Sequence, residues 1–146
     1  MMLDEIGTYI AASSASFVHK LTRGLNIFEG FIPKDPEICV GLFEVPGEAP
    51  LRSFVKGIDG VVFERPRLEV QVRDVTYEDA RLLANQIYGL LEGRGNEKFP
   101  NSSGTLYASI LSLLPPKMLN RLPDEQLLNT VTINQIFQVT RKWSAE

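Results

Sequence analysis

The chain has 146 residues, the size of one ordinary domain, and we expect a single domain over residues 1–146. Apolar residues make up 44% of the sequence and charged residues 23%, a balance that argues against disorder. The 15 basic and 18 acidic side chains give a net charge of −3, so the chain lacks the basic excess typical of nucleic-acid-binding proteins.

The first half of the chain is predicted to form a helix followed by strands. Apolar residues at helical spacing predict an amphipathic helix over residues 2–13. Residues 27–32 predict a short strand, and residues 38–45, which are almost all apolar, predict a buried one. The glycines and prolines of residues 46–60 then predict a surface loop.

The stretch from Glu64 to Asp74, ERPRLEVQVRD, has the alternation of a strand with two unlike faces. Leu68, Val70 and Val72 form the apolar face, and Pro66 is expected at the start of the strand, where a missing N–H matters least. Long polar side chains form the other face, which we call the polar ladder. Its members are Arg65, Arg67, Glu69, Gln71 and Arg73.

A well-specified helix follows after a short link. Thr76 is placed as its N-cap, with Asp79 three residues further on in a variant of the capping box. Apolar residues then recur at helical spacing, and Gly93 lies where a glycine commonly ends a helix. The strand and this helix are therefore expected to pack as neighbours.

The remaining elements are predicted to be mainly strands. Residues 96–104 predict a loop, and residues 105–114 predict a strand that ends at two prolines. Residues 117–129 fit either a loop or a short helix near residues 124–128. Residues 130–143 predict a long strand whose apolar face is interrupted by Gln135.

The order helix, strands, helix, strands predicts an α+β domain. We expect a mixed, mainly antiparallel sheet with one or two helices packed on one face. No apolar stretch reaches the roughly 18 residues of a membrane span, and the acidic N-terminus does not resemble a signal peptide. We therefore expect a soluble protein without a membrane contact.

Residues that could carry catalysis are few. His19 is the one histidine, and we expect it to be a surface or half-buried structural residue. Cys39 is the one cysteine, which excludes an intrachain disulfide and fits a reducing compartment, and it lies in an apolar run as a small buried side chain. One cysteine and one histidine make a zinc site only if carboxylates complete it, so no metal or other cofactor is predicted.

Two pairs of carboxylates precede apolar helical patterns. They are Glu78 with Asp79 and Asp124 with Glu125, and both fit the first turn of a helix better than acid–base catalysis. No phosphate-binding loop or nucleophile turn is present in the sequence. An enzyme is therefore the weaker interpretation.

The polar ladder has two possible interpretations. The outer face of a half-buried antiparallel sheet is commonly polar simply because it contacts water. Alternatively, a rigid polar face rich in arginine suits a contact between subunits, because arginine is enriched at interfaces and makes bidentate hydrogen bonds. The residues alone do not decide between these two interpretations.

The order of motifs resembles that of the minor capsid and tail terminator (tail completion) proteins of long-tailed bacteriophages and prophages. The similarity lies in a turn over residues 28–33, FEGFIP, and in the segment from Phe63 to Gly93, whose ERPRLEVQVRD strand is joined to TYEDA and a helix ending IYGLLEG. Two further segments also carry the similarity, the predicted strand TLYASILSLLPP and the closing strand VTINQIFQVTRKW. The sequence departs from the family pattern in a longer segment over residues 14–24 and a longer one over residues 115–129.

The resemblance implies a structural function without catalysis or cofactor. Members form a hexameric ring on the head-proximal end of the tail tube, where the ring stops tube polymerisation and provides the surface to which the filled head docks. The implied partners are sister subunits, the major tail tube protein and a head-completion protein of the neck, in a virion assembled in the host cytoplasm. A monomer in solution is compatible with a ring that forms only on the tube tip.

The resemblance also implies that DNA passes through the ring without sequence readout. Six chains of net charge −3 carry about −18, which would discourage DNA from adhering. The polar ladder is then a hypothetical contact to a sister subunit or to the tube. The alternatives are another neck or tail component, such as a head-closure or tube subunit, and a small enzyme or ligand-binding domain with a pocket around His19.

Overall fold

The computed structural model describes residues 2–52, 62–118 and 130–142. The described elements form an α+β fold with one six-stranded sheet, which confirms the predicted class. In chain order they are α1 (Met2–Ser13), a 3₁₀ turn (Ser14–Ser16), β1 (Ile27–Glu29), β2 (Cys39–Arg52), β3 (Val62–Asp74), α2 (Tyr77–Leu91), β4 (Arg94–Phe99), β5 (Thr105–Met118) and β6 (Val131–Lys142).

The sheet has the strand order β1-β2-β3-β6-β5-β4. β1 pairs parallel with β2, and the other neighbouring strands pair antiparallel. α2 packs on the centre of the sheet, against β3, β5 and β6, whereas α1 contacts β1 and β2 at one end and β4 at the other. Because α1 contacts both ends, the sheet must curl around it.

Both helices bury their apolar stripes in one continuous core. Met2, Ile6 and Ile10 of α1 are buried, as is the predicted stripe of α2, in which Leu83 and Ile87 lie at the centre. Burial of each such large aliphatic side chain contributes roughly 1.5–3 kcal/mol. Neither described helix is long and apolar enough to cross a membrane.

The two long strands show the predicted alternation. Leu68, Val70 and Val72 of β3 are fully buried, and β6 buries every second residue from Val131 to Arg141. Gln135, which interrupts the apolar face, is buried and donates from Nε2 to the main-chain oxygen of Ala84 on α2 at 2.7 Å. This hydrogen bond joins α2 to β6 across the core.

Local signals at the ends of α2 are also confirmed. The hydroxyl oxygen of Thr76 accepts a hydrogen bond from the main-chain N–H of Asp79 at 3.3 Å, as an N-cap does. Gly93 has a φ of +77° just beyond the helix, a conformation that glycine adopts without strain.

The predicted loop over residues 46–60 is wrong for its first part, because β2 continues to Arg52. The pairing of β2 with β3 shifts register between Val45 and Glu48, so the proline and glycine there are accommodated in a bulge. A Cβ on Gly47 would lie 1.9 Å from the main-chain oxygen of Arg65, so β3 approaches too closely for any larger residue. Residues 53–61 lie outside the described residues.

Other strand boundaries also differ from the predictions. The predicted loop over residues 96–104 contains most of the edge strand β4, and β1 ends at Glu29 instead of residue 32. β5 continues through its two prolines to Met118, with a register shift between Leu114 and Lys117, and Pro66 lies inside β3 and not at its start. The prediction of a helix near residues 124–128 falls outside the described residues.

Candidate assembly surface

The polar ladder lies on the sheet face opposite the helices, which we call the outer face. Its register places Arg67 between Val45 of β2 and Gln138 of β6. The next row places Glu69 between Phe43 and Ile136, and the row after it places Gln71 between Gly41 and Asn134. The outer face is therefore a band of mixed polar and apolar side chains across three strands.

Hydrogen bonds hold the polar side chains of this band in place. Gln71 donates from Nε2 to Oε1 of Glu69 at 3.0 Å, and Arg67 donates from Nε to Oε1 of Gln138 at 3.4 Å. Arg65 donates from Nε to the main-chain oxygen of Ala49 at 2.6 Å. All these ladder side chains are half-buried, so less conformational entropy would be lost if they bound a partner.

Two large apolar side chains are exposed on β5, one strand beyond β6 from the ladder. Leu111 of β5, which pairs with Gln138, is 50% exposed, and Leu113 is 46% exposed. They add apolar area to the outer face, as the centre of a protein interface requires. The sequence pattern does not single them out, because TLYASILSLL has no clear alternation that would separate buried from exposed leucines.

Arg73 differs from the other members of the ladder. It is 3% exposed, and its guanidinium donates to the main-chain oxygens of Pro33, Lys34, Pro36 and Glu37 at 2.5–3.1 Å. It therefore fixes the loop formed by residues 33–37 against the sheet. We keep the contact hypothesis for Arg65, Arg67, Glu69 and Gln71 and assign Arg73 to the support of this loop.

A second group of charges joins the first helix to the last strand. Arg141 is buried on the inner side of β6, where it forms an ion pair with Glu5 of α1 at 2.5 Å and another with Glu64 of β3. Its guanidinium also lies 5.6 Å from the ring centroid of Tyr107, and burial raises the pKa of that tyrosine. The group is structural, since it joins α1 to the neighbouring strands β3 and β6.

The residues considered for catalysis are found in separate places. Cys39 is fully buried, as predicted, and burial raises the pKa of its thiol, so it is a poor nucleophile at neutral pH. Glu78 and Asp79 lie in the first turn of α2. His19 is half-buried, and its Nε2 lies 2.7 Å from Oδ2 of Asp74. Asp124 and Glu125 lie outside the described residues.

Fold and surface together define an α+β protein whose distinctive feature is a broad, pre-ordered sheet face. The sequence profile of a family described as "Bacteriophage tail terminator protein" matches residues 3–134, nearly the whole chain. The chain belongs to this bacteriophage tail terminator family, and it is a structural protein of the virion.

The fold is also shared with a solved structure. A chain from a structure described as "Virion of native gene transfer agent (GTA) particle" superposes with a TM-score of 0.53 at 14% sequence identity, covering 82% of this chain and 81% of that one. At this identity the similarity concerns the fold. None of the curated protein sequences compared with the chain matches it.

Proposed function

We propose that the protein caps the head-proximal end of the phage tail tube, stops its polymerisation and provides the surface to which the filled head docks. Membership of the tail terminator family over residues 3–134 carries this proposal. The protein would work as a hexameric ring at the tail–neck junction, assembled in the host cytoplasm, with the tail tube protein below it and a head-completion protein above it. The protein would act by binding its partners during assembly and would not catalyse a reaction.

Within that ring we assign the outer face to the contact with the next subunit. A closed ring needs a heterologous contact, in which one surface of a subunit meets a different surface of its neighbour. The outer face is suited to this contact because its polar side chains are already hydrogen-bonded and exposed leucines lie next to them. Arg67, in the middle of the ladder and half-buried, is the best single probe.

Reversing the charge of Arg67 is expected to impair assembly. Expression of the unmodified protein in host cells infected with phage lacking this gene should restore infectious particles, whereas Arg67→Glu should restore at least about tenfold fewer. Loss of one interfacial charge contact costs ~1.4 kcal/mol or more, a factor of about ten per contact, and the ring repeats it. Plaque counts measure the effect.

Lys98→Glu, the same charge change on the exposed part of the edge strand β4, is the control. It should complement like the unmodified protein. Full complementation by Arg67→Glu would contradict the assignment of the outer face to the subunit contact, but it would not count against the capping function. Failure of the unmodified protein to complement would count against the capping function itself.

A further inference from the structure

Three potential metal ligands converge from three parts of the chain. His19 comes from the segment after α1, Asp74 is the last residue of β3, and Asp79 lies in the first turn of α2. One ligand atom from each residue lies within 4.8 Å of the other two. The fold thus supplies the carboxylates that a single histidine would need to bind a metal.

The geometry of the site is fixed from both sides. Val18, next to His19, donates its main-chain N–H to Oε1 of Gln86 on α2 at 2.9 Å, which anchors the histidine segment. Oδ1 of Asp74 accepts from the main-chain N–H of Val75 at 2.6 Å, so Oδ2 faces His19. Only small movements would therefore be needed to bring the three ligands around one ion.

The site combines two carboxylates with one imidazole. The side chain of Asp74 is only 1% exposed, and a buried carboxylate requires charge or hydrogen-bond partners. Its side-chain partner is His19, and the second carboxylate, Asp79, accepts no side-chain hydrogen bond within the described part of the chain. With a neutral imidazole the three groups carry two negative charges, which a divalent cation would neutralise.

The types of ligand atom favour one class of metal ion. Imidazole nitrogen with carboxylate oxygen suits zinc and related transition ions, whereas magnesium and calcium prefer oxygen ligands alone. Around tetrahedral zinc, ligand atoms about 2.1 Å from the ion lie roughly 3.4 Å apart. Nε2 of His19 and Oδ2 of Asp74, now hydrogen-bonded at 2.7 Å, would have to move apart by about 0.7 Å to bind zinc, and the third ligand atom lies within 4.8 Å of both.

We propose that His19, Asp74 and Asp79 form a zinc-binding site with three protein ligands and water in the fourth position. The bound ion would join the segment after α1 to the start of α2. The site does not depend on the capping function or on the ring contact, and its test uses the isolated full-length chain.

Calorimetric titration of the metal-free protein with Zn²⁺ tests the proposal. We expect one Zn²⁺ per chain and a higher melting temperature with Zn²⁺, because an ion that binds only the folded state stabilises it. His19→Gln retains a hydrogen-bond donor toward Asp74 but removes the imidazole, and it should bind at least about tenfold more weakly. Asp79→Asn should also weaken binding, since it removes the second carboxylate.

Glu48→Gln, which neutralises an exposed carboxylate of β2 that pairs with Arg65, is the control and should bind Zn²⁺ like the unmodified protein. Saturable binding that is unchanged in both His19→Gln and Asp79→Asn would overturn the proposal, because the ion would then be held elsewhere. A Kd weaker than about 1 mM for the unmodified protein would overturn it too. If His19→Gln does not fold, as judged by circular dichroism, Asp79→Asn alone decides between these outcomes.

Discussion

Replacing Arg141 by alanine is expected to lower the free energy of unfolding by about 3–5 kcal/mol. Arg141 is 6% exposed, and its partner Glu5 is also buried, so the substitution removes a buried cation that faces the Glu5 carboxylate. It also removes a contact between α1 and β6, whose contacting residues are 136 positions apart. Urea denaturation followed by circular dichroism measures the change.

Arg23→Ala is the matched control for this prediction. Arg23 also forms ion pairs with two carboxylates, Asp4 and Glu29, but its side chain is 41% exposed. Exposed ion pairs contribute little, so we expect a loss of at most about 1 kcal/mol. Equal losses in Arg23→Ala and Arg141→Ala would contradict the structural role assigned to burial of the Arg141 group.

Arg73→Ala is the second large effect, with an expected loss of about 2–4 kcal/mol. The guanidinium has four main-chain acceptors within residues 33–37, and a hydrogen bond that involves a charged group contributes about 1.5–3 kcal/mol net. Three of the four acceptors share the two hydrogens of one nitrogen, so these contributions do not add in full. Arg73→Lys should recover only part of the loss, because one ammonium cannot reproduce the planar fork of five donors. The same denaturation experiment measures both variants.

Limited proteolysis with trypsin separates this local effect from a general one. Cleavage after Lys34, which is exposed in the loop, should be faster in Arg73→Ala than in the unmodified protein, while cleavage after Arg81 in α2 is unchanged under native conditions. An unchanged rate of cleavage after Lys34, or unchanged stability, would show that Arg73 does not support the loop. Because Arg73 acts through the loop, charge reversal at Arg67 is the cleaner test of the ring contact.

Much of the fold follows from periodic patterns in the sequence. The alternation in β3 and β6 and the apolar stripe of α2 each specify a buried face within one element, so local spacing is sufficient. β4 could not be predicted, because RGNEKF has little apolar content and becomes a strand through pairing with β5 at the sheet edge. The prolines of β2 and β5 predict strand ends, whereas in the structure both strands continue past them through register shifts in their pairing.

The candidate surfaces depend more on long-range structure. Alternation correctly places Arg65, Arg67, Glu69 and Gln71 on one face, but the burial of Arg73 depends on a loop 36 to 40 residues earlier in the chain. His19 and Asp74 are likewise separated by 55 residues, so no local sequence motif predicts their contact. Such contacts are set by the sheet topology, which spacing alone does not encode.

The distribution of tail lengths in phage lacking this gene tests the capping function most directly. Negative-stain electron microscopy of the mutant lysate should show overlong tails without heads beside filled heads without tails, because nothing stops the tube and nothing joins it to the head. Tails of normal length, or tailless heads with no free tails at all, would contradict the assignment and indicate another component of the neck or tube.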